Sequence, residues 1–127
     1  MFEKLELTRM AQSLAAHSGA RMAVIAQNVA NADTPGYKAR DLPPFATVFA
    51  AAGIDMRATR PGHIGSGGSN DQPLPDLARG HLAPNGNSVS LEAEMVKSVE
   101  ARQSHDMALA IYRATSDVIR ASLGRNR

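Results

Sequence analysis

Four histidines, His17, His63, His81 and His105, are the residues of this 127-residue chain best suited to holding a metal or moving a proton. Their spacing gives them no common task. No two stand four apart on a helix or close together in a short loop, the arrangements by which two imidazoles reach one ion. His105 and Asp106 are neighbours in a helical pattern and so point in different directions, which disfavours an acid–base dyad. His63, after Pro61-Gly62, is read as a packing or hydrogen-bonding residue. Gly65-Ser66-Gly67-Gly68 is followed by neither the Lys-Ser/Thr nor the helix that a phosphate loop needs. The serines include no Gly-x-Ser-x-Gly elbow, and the acidic residues are scattered rather than convergent, against a hydrolase. Cysteine is absent, so thiol chemistry and disulfides are excluded. The expectation is a protein that is not an enzyme, with no catalytic residues, no cofactor and no metal.

Composition narrows the class further. The chain has room for one domain, and 43% of its residues are apolar. Aromatics make up only 4% and tryptophan is absent, so the area each residue can bury is small. Alanine-rich helices do approach closely, toward the lower end of the usual 8–10 Å or so between axes. A marginal monomer that gains stability from other chains is therefore expected. Net charge is +2 with both signs interspersed, which gives little support to nucleic-acid binding. No apolar run approaches the roughly 18 residues of a membrane span. Met1-Phe2-Glu3-Lys4-Leu5-Glu6 lacks the basic and apolar regions of a cleaved secretory signal.

The elements are legible from punctuation and period. From Leu7, the positions Leu7, Ala11, Leu14, Ser18, Met22, Ile25, Val29 and Ala32 advance by three and four, one apolar stripe of a long helix. Pro35 cannot donate a backbone hydrogen bond and pushes Thr34 out of the helical region, so this helix should stop at about Asp33. Thr34-Pro35-Gly36-Tyr37 reads as a type II turn, with glycine accepting the positive φ of the third position. Asn28 and Asn31 stand where their amides can serve the last helical carbonyls or the turn backbone, and Tyr37 is an aromatic anchor with a polar tip. A second long helix begins after Ser90, its N-cap, with Glu92 and Glu94 in the first turn, and runs to about Leu123 with Gly124 as its stop. It shows two apolar stripes, one through Val99, Gln103, Met107, Ala110, Ala114, Val118 and Ala121, the other through Leu109, Tyr112, Ser116, Ile119 and Leu123. One partner helix in a monomer covers only one of them.

Residues 34–89 hold all seven prolines and eight of the ten glycines, so an irregular arm is expected there. One short helix near 44–52 is signalled by Phe45, Val48, Phe49 and Ala52 between Pro44 and Gly53, and Gly65 to Asn70 reads as a flexible tip. The fold class is all-α: two long N- and C-terminal helices in a coiled-coil-like hairpin, joined by the Pro/Gly-rich arm. The organisation is an N-terminal helix over 1–33, the arm over 34–89 and a C-terminal helix over 90–127, in a single domain.

The string Ala30-Asn31-Ala32-Asp33-Thr34-Pro35-Gly36-Tyr37 closely resembles the N-terminal signature of the bacterial flagellar axial family of rod, hook and hook-associated subunits, Ala-Asn-x-x-Thr-Pro-Gly-Tyr. Six specified residues fit in one unbroken register. Within that family the chain looks most like the short proximal rod subunits. It has no room for added β-rich domains, Tyr37-Lys38-Ala39-Arg40-Asp41 is similar to the segment after their motif, and Val89-Ser90-Leu91-Glu92-Ala93-Glu94-Met95 resembles the start of their second helix. The chain departs from the family at His105, where tyrosine is frequent, and near Ser116, where a bulky aromatic is missing.

This resemblance implies a structural subunit that polymerises with itself and with other rod subunits into a hollow shaft across the periplasm, on the base components of the motor. It implies synthesis in the cytoplasm and export through the flagellar type III apparatus without a cleaved signal peptide. Phe45-Ala46-Thr47-Val48-Phe49 matches the Phe-x-x-x-hydrophobic element by which such subunits engage the export gate, and it also reads as the buried face of a small helix. Subunit packing is expected at Leu14, Ile25, Val29, Val99, Met107, Leu109 and Ile119. The alternatives are another rod subunit of the same family or a helical-hairpin binding module that closes on itself.

Overall fold

The computed structural model describes residues 2–51, 74–75 and 82–124. Among the described residues three helices and one small strand pair occur in the order α1 (Phe2–Ala30), β1 (Arg40–Asp41), α2 (Phe45–Ala51), β2 (Leu74–Pro75) and α3 (Leu91–Gly124). α1 and α3, 29 and 34 residues long, pack along each other. Asn28 near the end of α1 meets Glu94 in the first turn of α3, so the two run antiparallel as a hairpin. The strand pair is antiparallel, with Arg40 opposite Pro75 and Asp41 opposite Leu74. It is a small β addition to the expected all-α architecture.

The seam between the long helices is made of small and polar side chains. On α1, Ala11, Ser18 and Ile25 are buried, seven residues apart, flanked by buried His17 and Val24. On α3, Glu94, Ala101, Ala108 and Thr115 are buried, again seven apart. A seven-residue period on both partners is the mark of a coiled-coil seam, and residues this small let the backbones come close. The α1 stripe expected from the sequence thus lies partly in the seam. On α3 the outcome differs: α1 covers neither stripe read from the apolar residues but the small-residue face between them. Val99, Met107 and Val118 are left exposed, while Leu109, Ser116 and Ile119 are half-buried. Bulk marked the wrong face because close helix approach selects for alanine, serine and threonine.

α1 also ends at Ala30, short of the expected Asp33, and residues 31–33 form a turn. The Asn31 N–H divides between the carbonyls of Gln27 and Asn28, at 3.2 and 3.1 Å, and its side-chain amide also donates to the Gln27 carbonyl at 2.8 Å. That tightening closes the helix before proline has to break it. The tip at Gly65 to Asn70, His63, His81, and the end of the expected short helix at Ala52 and Gly53 lie outside the described residues.

Candidate functional site

The turn after α1 has the geometry its residues call for. Gly36 takes φ 72°, the Tyr37 N–H donates to the Thr34 carbonyl at 3.3 Å, and the Thr34 hydroxyl donates to Asn31 Oδ1 at 3.2 Å. Opposite it, Ala83 to Gly86 makes a second turn, with the Gly86 N–H on the Ala83 carbonyl at 2.8 Å and φ 78° at Gly86. The two turns lie against each other, so that a Cβ on Gly86 would stand 3.6 Å from the Gly36 Cα. Backbone bonds join them: the Gly36 N–H donates to the Asn85 carbonyl and the Ser88 N–H to the Tyr37 carbonyl, both at 3.0 Å.

Two buried asparagines complete this clasp. Asn28 is 0% exposed and satisfies its whole amide. Its Nδ2 donates to the Arg40 carbonyl at 2.6 Å and to Glu94 Oε2 at 3.0 Å. Its Oδ1 accepts from the Tyr37 hydroxyl at 3.2 Å and from the Arg40 N–H at 3.0 Å. One side chain thereby ties α1, the segment after the turn and α3 together. Asn87, 2% exposed, does the same for the end of α1. Its Nδ2 donates to the carbonyls of Asn31, Ala32 and Thr34 at 3.0, 2.7 and 2.9 Å, and its Oδ1 accepts from the Val89 N–H at 2.7 Å. The carbonyls that follow a helix need partners once removed from water, and Asn87 supplies them from 53 or more residues away in the chain.

Charges lock the next layer. Glu94, 2% exposed, accepts from Asn28 and pairs with Lys97 at 3.1 Å. Arg21 grips Asp41 with two hydrogen bonds of 2.9 and 3.1 Å, and Lys97 stands 3.7 Å from the same carboxylate. Burial is the largest single influence on Asp41 and pushes its carboxyl up. The hydrogen bonds from Arg21 and from the Leu42 N–H, with the charges of Arg21 and Lys97, outweigh it and hold the carboxyl below its ordinary value. The same hydrogen bond raises the Arg21 guanidinium despite burial. An open cleft of about 390 Å³ beside this pair is lined by His17, Arg21, Asp41, Phe45 and Ser104, among others. His17 Nε2–H donates to the Pro43 carbonyl at 2.9 Å, its ring meets Phe45 edge-on at 5.7 Å, and Arg21 and Asp41 hold each other. The polar groups named here are already engaged, Ser104 included, whose hydroxyl donates to the Glu100 carbonyl at 2.9 Å.

The other expected site residues separate into three groups. Ala30, Thr34, Pro35 and Gly36 are exposed on the outside of the clasp and Asn31 and Tyr37 are half-buried. Of the residues expected to pack between subunits, Ile25 is buried within the hairpin and Leu14 lines the cleft, whereas Val29, Val99 and Met107 face outward. Phe45 and Phe49 stack with ring centres 5.4 Å apart, Phe45 turned toward His17 and Phe49 more exposed. His105 Nδ1 lies 3.9 Å from Asp106 Oδ1, closer than helical neighbours were expected to come, yet too far for a hydrogen bond. Among the described residues no group of three or more His, Cys, Asp or Glu side chains is placed to hold a metal, and no helix is long and apolar enough to cross a membrane.

Sequence reasoning missed Asn87 and the buried role of Glu94. Asn85-Gly86-Asn87 is a recognisable turn string, but its partner in space is set by the fold rather than by any local pattern.

Comparison with known proteins agrees with the clasp's sequence. The family model described as flagella basal body rod protein matches residues 10–38, from Met10 in α1 through Lys38 after the turn. The chain is also 29% identical over 120 residues to the flagellar basal body rod protein FlgB of Agrobacterium fabrum (strain C58), which covers 88% of each chain. The motif, the helical hairpin and a likeness that covers most of the chain converge on one resemblance: the chain is similar to the flagellar basal body rod proteins, of the FlgB type.

Proposed function

We propose that copies of this subunit stack helically into the proximal rod, the wall of a hollow drive shaft that carries motor torque outward and passes export substrates through its lumen. The observation that carries this reading is the outward side of α3: Val96, Val99, Met107 and Val118 are exposed on a helix whose opposite face is already filled by α1. Apolar ridges of this length on a structural subunit are buried by neighbours. Heterologous contacts that do not close a ring yield open helical growth, the geometry of a shaft. Its partners are other copies, the remaining rod subunits and the base beneath them.

The subunit reaches that place through the flagellar type III apparatus, and Phe45 and Phe49 present the export-gate element while the chain is unfolded. In the folded chain the same pair packs α2 beside His17 of α1. The two roles belong to different stages. Deleting the subunit should leave cells without a complete rod and unable to swim, with swimming restored by the intact chain; cells that build normal flagella without it rule the reading out. A Phe45→Ala/Phe49→Ala chain should be made at normal levels yet retained in the cytoplasm, and undiminished secretion rules out the gate element.

A further inference from the structure

α3 carries two periods at once. Toward α1 its buried residues recur every seven positions. On the opposite side Val96, Met107 and Val118 recur every eleven, as do Val99, Ala110 and Ala121. The charges repeat with them: Arg102-x-x-x-Asp106 returns as Arg113-x-x-x-Asp117, all four exposed. A seven-residue period lags the helical turn and an eleven-residue period leads it, so the outer ridge is a seam of its own that a helix following the inner one cannot also cover.

We propose that the occupant of this outer seam, in the free subunit, is the same seam of a second copy, with the two α3 helices antiparallel about a two-fold axis at the level of residues 108 and 109. In that register Val99 meets the partner's Val118, Val96 meets the partner's Ala121, and Met107 meets the partner's Ala110, so bulky residues fall against bulky or small apolar ones. The charges then select the orientation. Arg102, Asp106, Arg113 and Asp117 each stand one position before a ridge residue, on a single shoulder of the seam. In an antiparallel pair that shoulder faces itself, and the register that stacks the apolar layers puts Arg102 beside the partner's Asp117 and Asp106 beside the partner's Arg113. Symmetry makes every contact twice. A parallel pair would set the shoulder against the opposite one, Lys97, Glu100, Ile111 and Ser122, whose two charges are already paired within the subunit, Lys97 with Glu94 and Glu100 with Arg21. The arrangement is isologous and closes at two copies, so it shields the ridge and competes with open-ended growth.

The test uses the full chain, which contains no cysteine. Sedimentation equilibrium should show a monomer–dimer equilibrium. Val99→Cys/Val118→Cys should give a disulfide-linked dimer on oxidation, whereas Val99→Cys alone should not, because the antiparallel register keeps the two introduced thiols about 28 Å apart along the axis. Arg102→Asp/Arg113→Asp should weaken dimerisation at least tenfold with unchanged helix content, and mixing with Asp106→Arg/Asp117→Arg should restore it as a heterodimer. A monomer at every concentration up to the hundred-micromolar range, open-ended oligomers, cross-linking through Val99→Cys alone, or charge reversal without effect would each overturn the pair. None of those results bears on whether cells lacking the subunit can swim.

Discussion

Asn28 has four hydrogen bonds and no exposure, so its replacement leaves more than one group stranded. Asn28→Ala should cost on the order of 3 kcal/mol in urea unfolding, since a buried donor or acceptor without a partner loses about 1–3 kcal/mol. Asn28→Asp should cost more, because a carboxylate would meet the Arg40 carbonyl and Glu94 where the amide now donates. Asp41 gives the clasp a pH dependence whose sign follows from its lowered carboxyl. The stabilisation is full above the unfolded-state value of about 3.9 and is lost as pH falls through the lower folded-state value. Melting temperatures measured from pH 6 to pH 2 should fall less steeply for Asp41→Asn than for the natural chain; parallel curves would show that the Arg21 pair contributes nothing. At this scale the sequence was half legible. Asn28 and Tyr37 stand within ten residues of each other and inside one motif, so local turn chemistry points to both. Asn87 serves carbonyls 53 or more residues away and Glu94 an amide 66 residues away, so no local window holds either of them together with its partner.

At the level of elements, the turn depends on backbone more than on side chains. Nothing stands within 4 Å of a Cβ built on Gly36, so Gly36→Ala meets no clash and suffers only its φ of 72°. The expected cost is about 1–2 kcal/mol, read as a lower midpoint in urea without loss of cooperativity. The helices themselves were legible because period and punctuation are local: proline, asparagine and serine mark their ends, and α3 begins at Leu91, directly after Ser90. Which face of α3 meets α1 was not. Apolar bulk drew attention to the Val99–Val118 line, while the seam is built from Ala101, Ala108 and Thr115, whose smallness is what lets the helices touch. The β1–β2 pair escaped because two-residue strands carry no period.

For the whole molecule, the contrast is between a closed end held by buried polar groups and long flanks that are plain and uncovered. Gly19 sits on one such flank of α1 with nothing within 4 Å of a built Cβ. In the isolated chain Gly19→Ala should therefore raise stability by about 1 kcal/mol, the helix-propensity difference. If the variant melts higher yet swims worse, the missing methyl group makes room for a neighbour; if it melts no higher, the helix is already relaxed at that point. The clasp also has a timetable. Its first half, Asn28 to Asp41, waits for Gly86, Asn87 and Glu94, roughly the last third of the polypeptide. Until those residues are in place, Asn28 lacks Glu94 and the carbonyls of Asn31, Ala32 and Thr34 lack Asn87. The clasp is therefore the joint that closes last, when the segment leading into α3 meets the turn that ends α1.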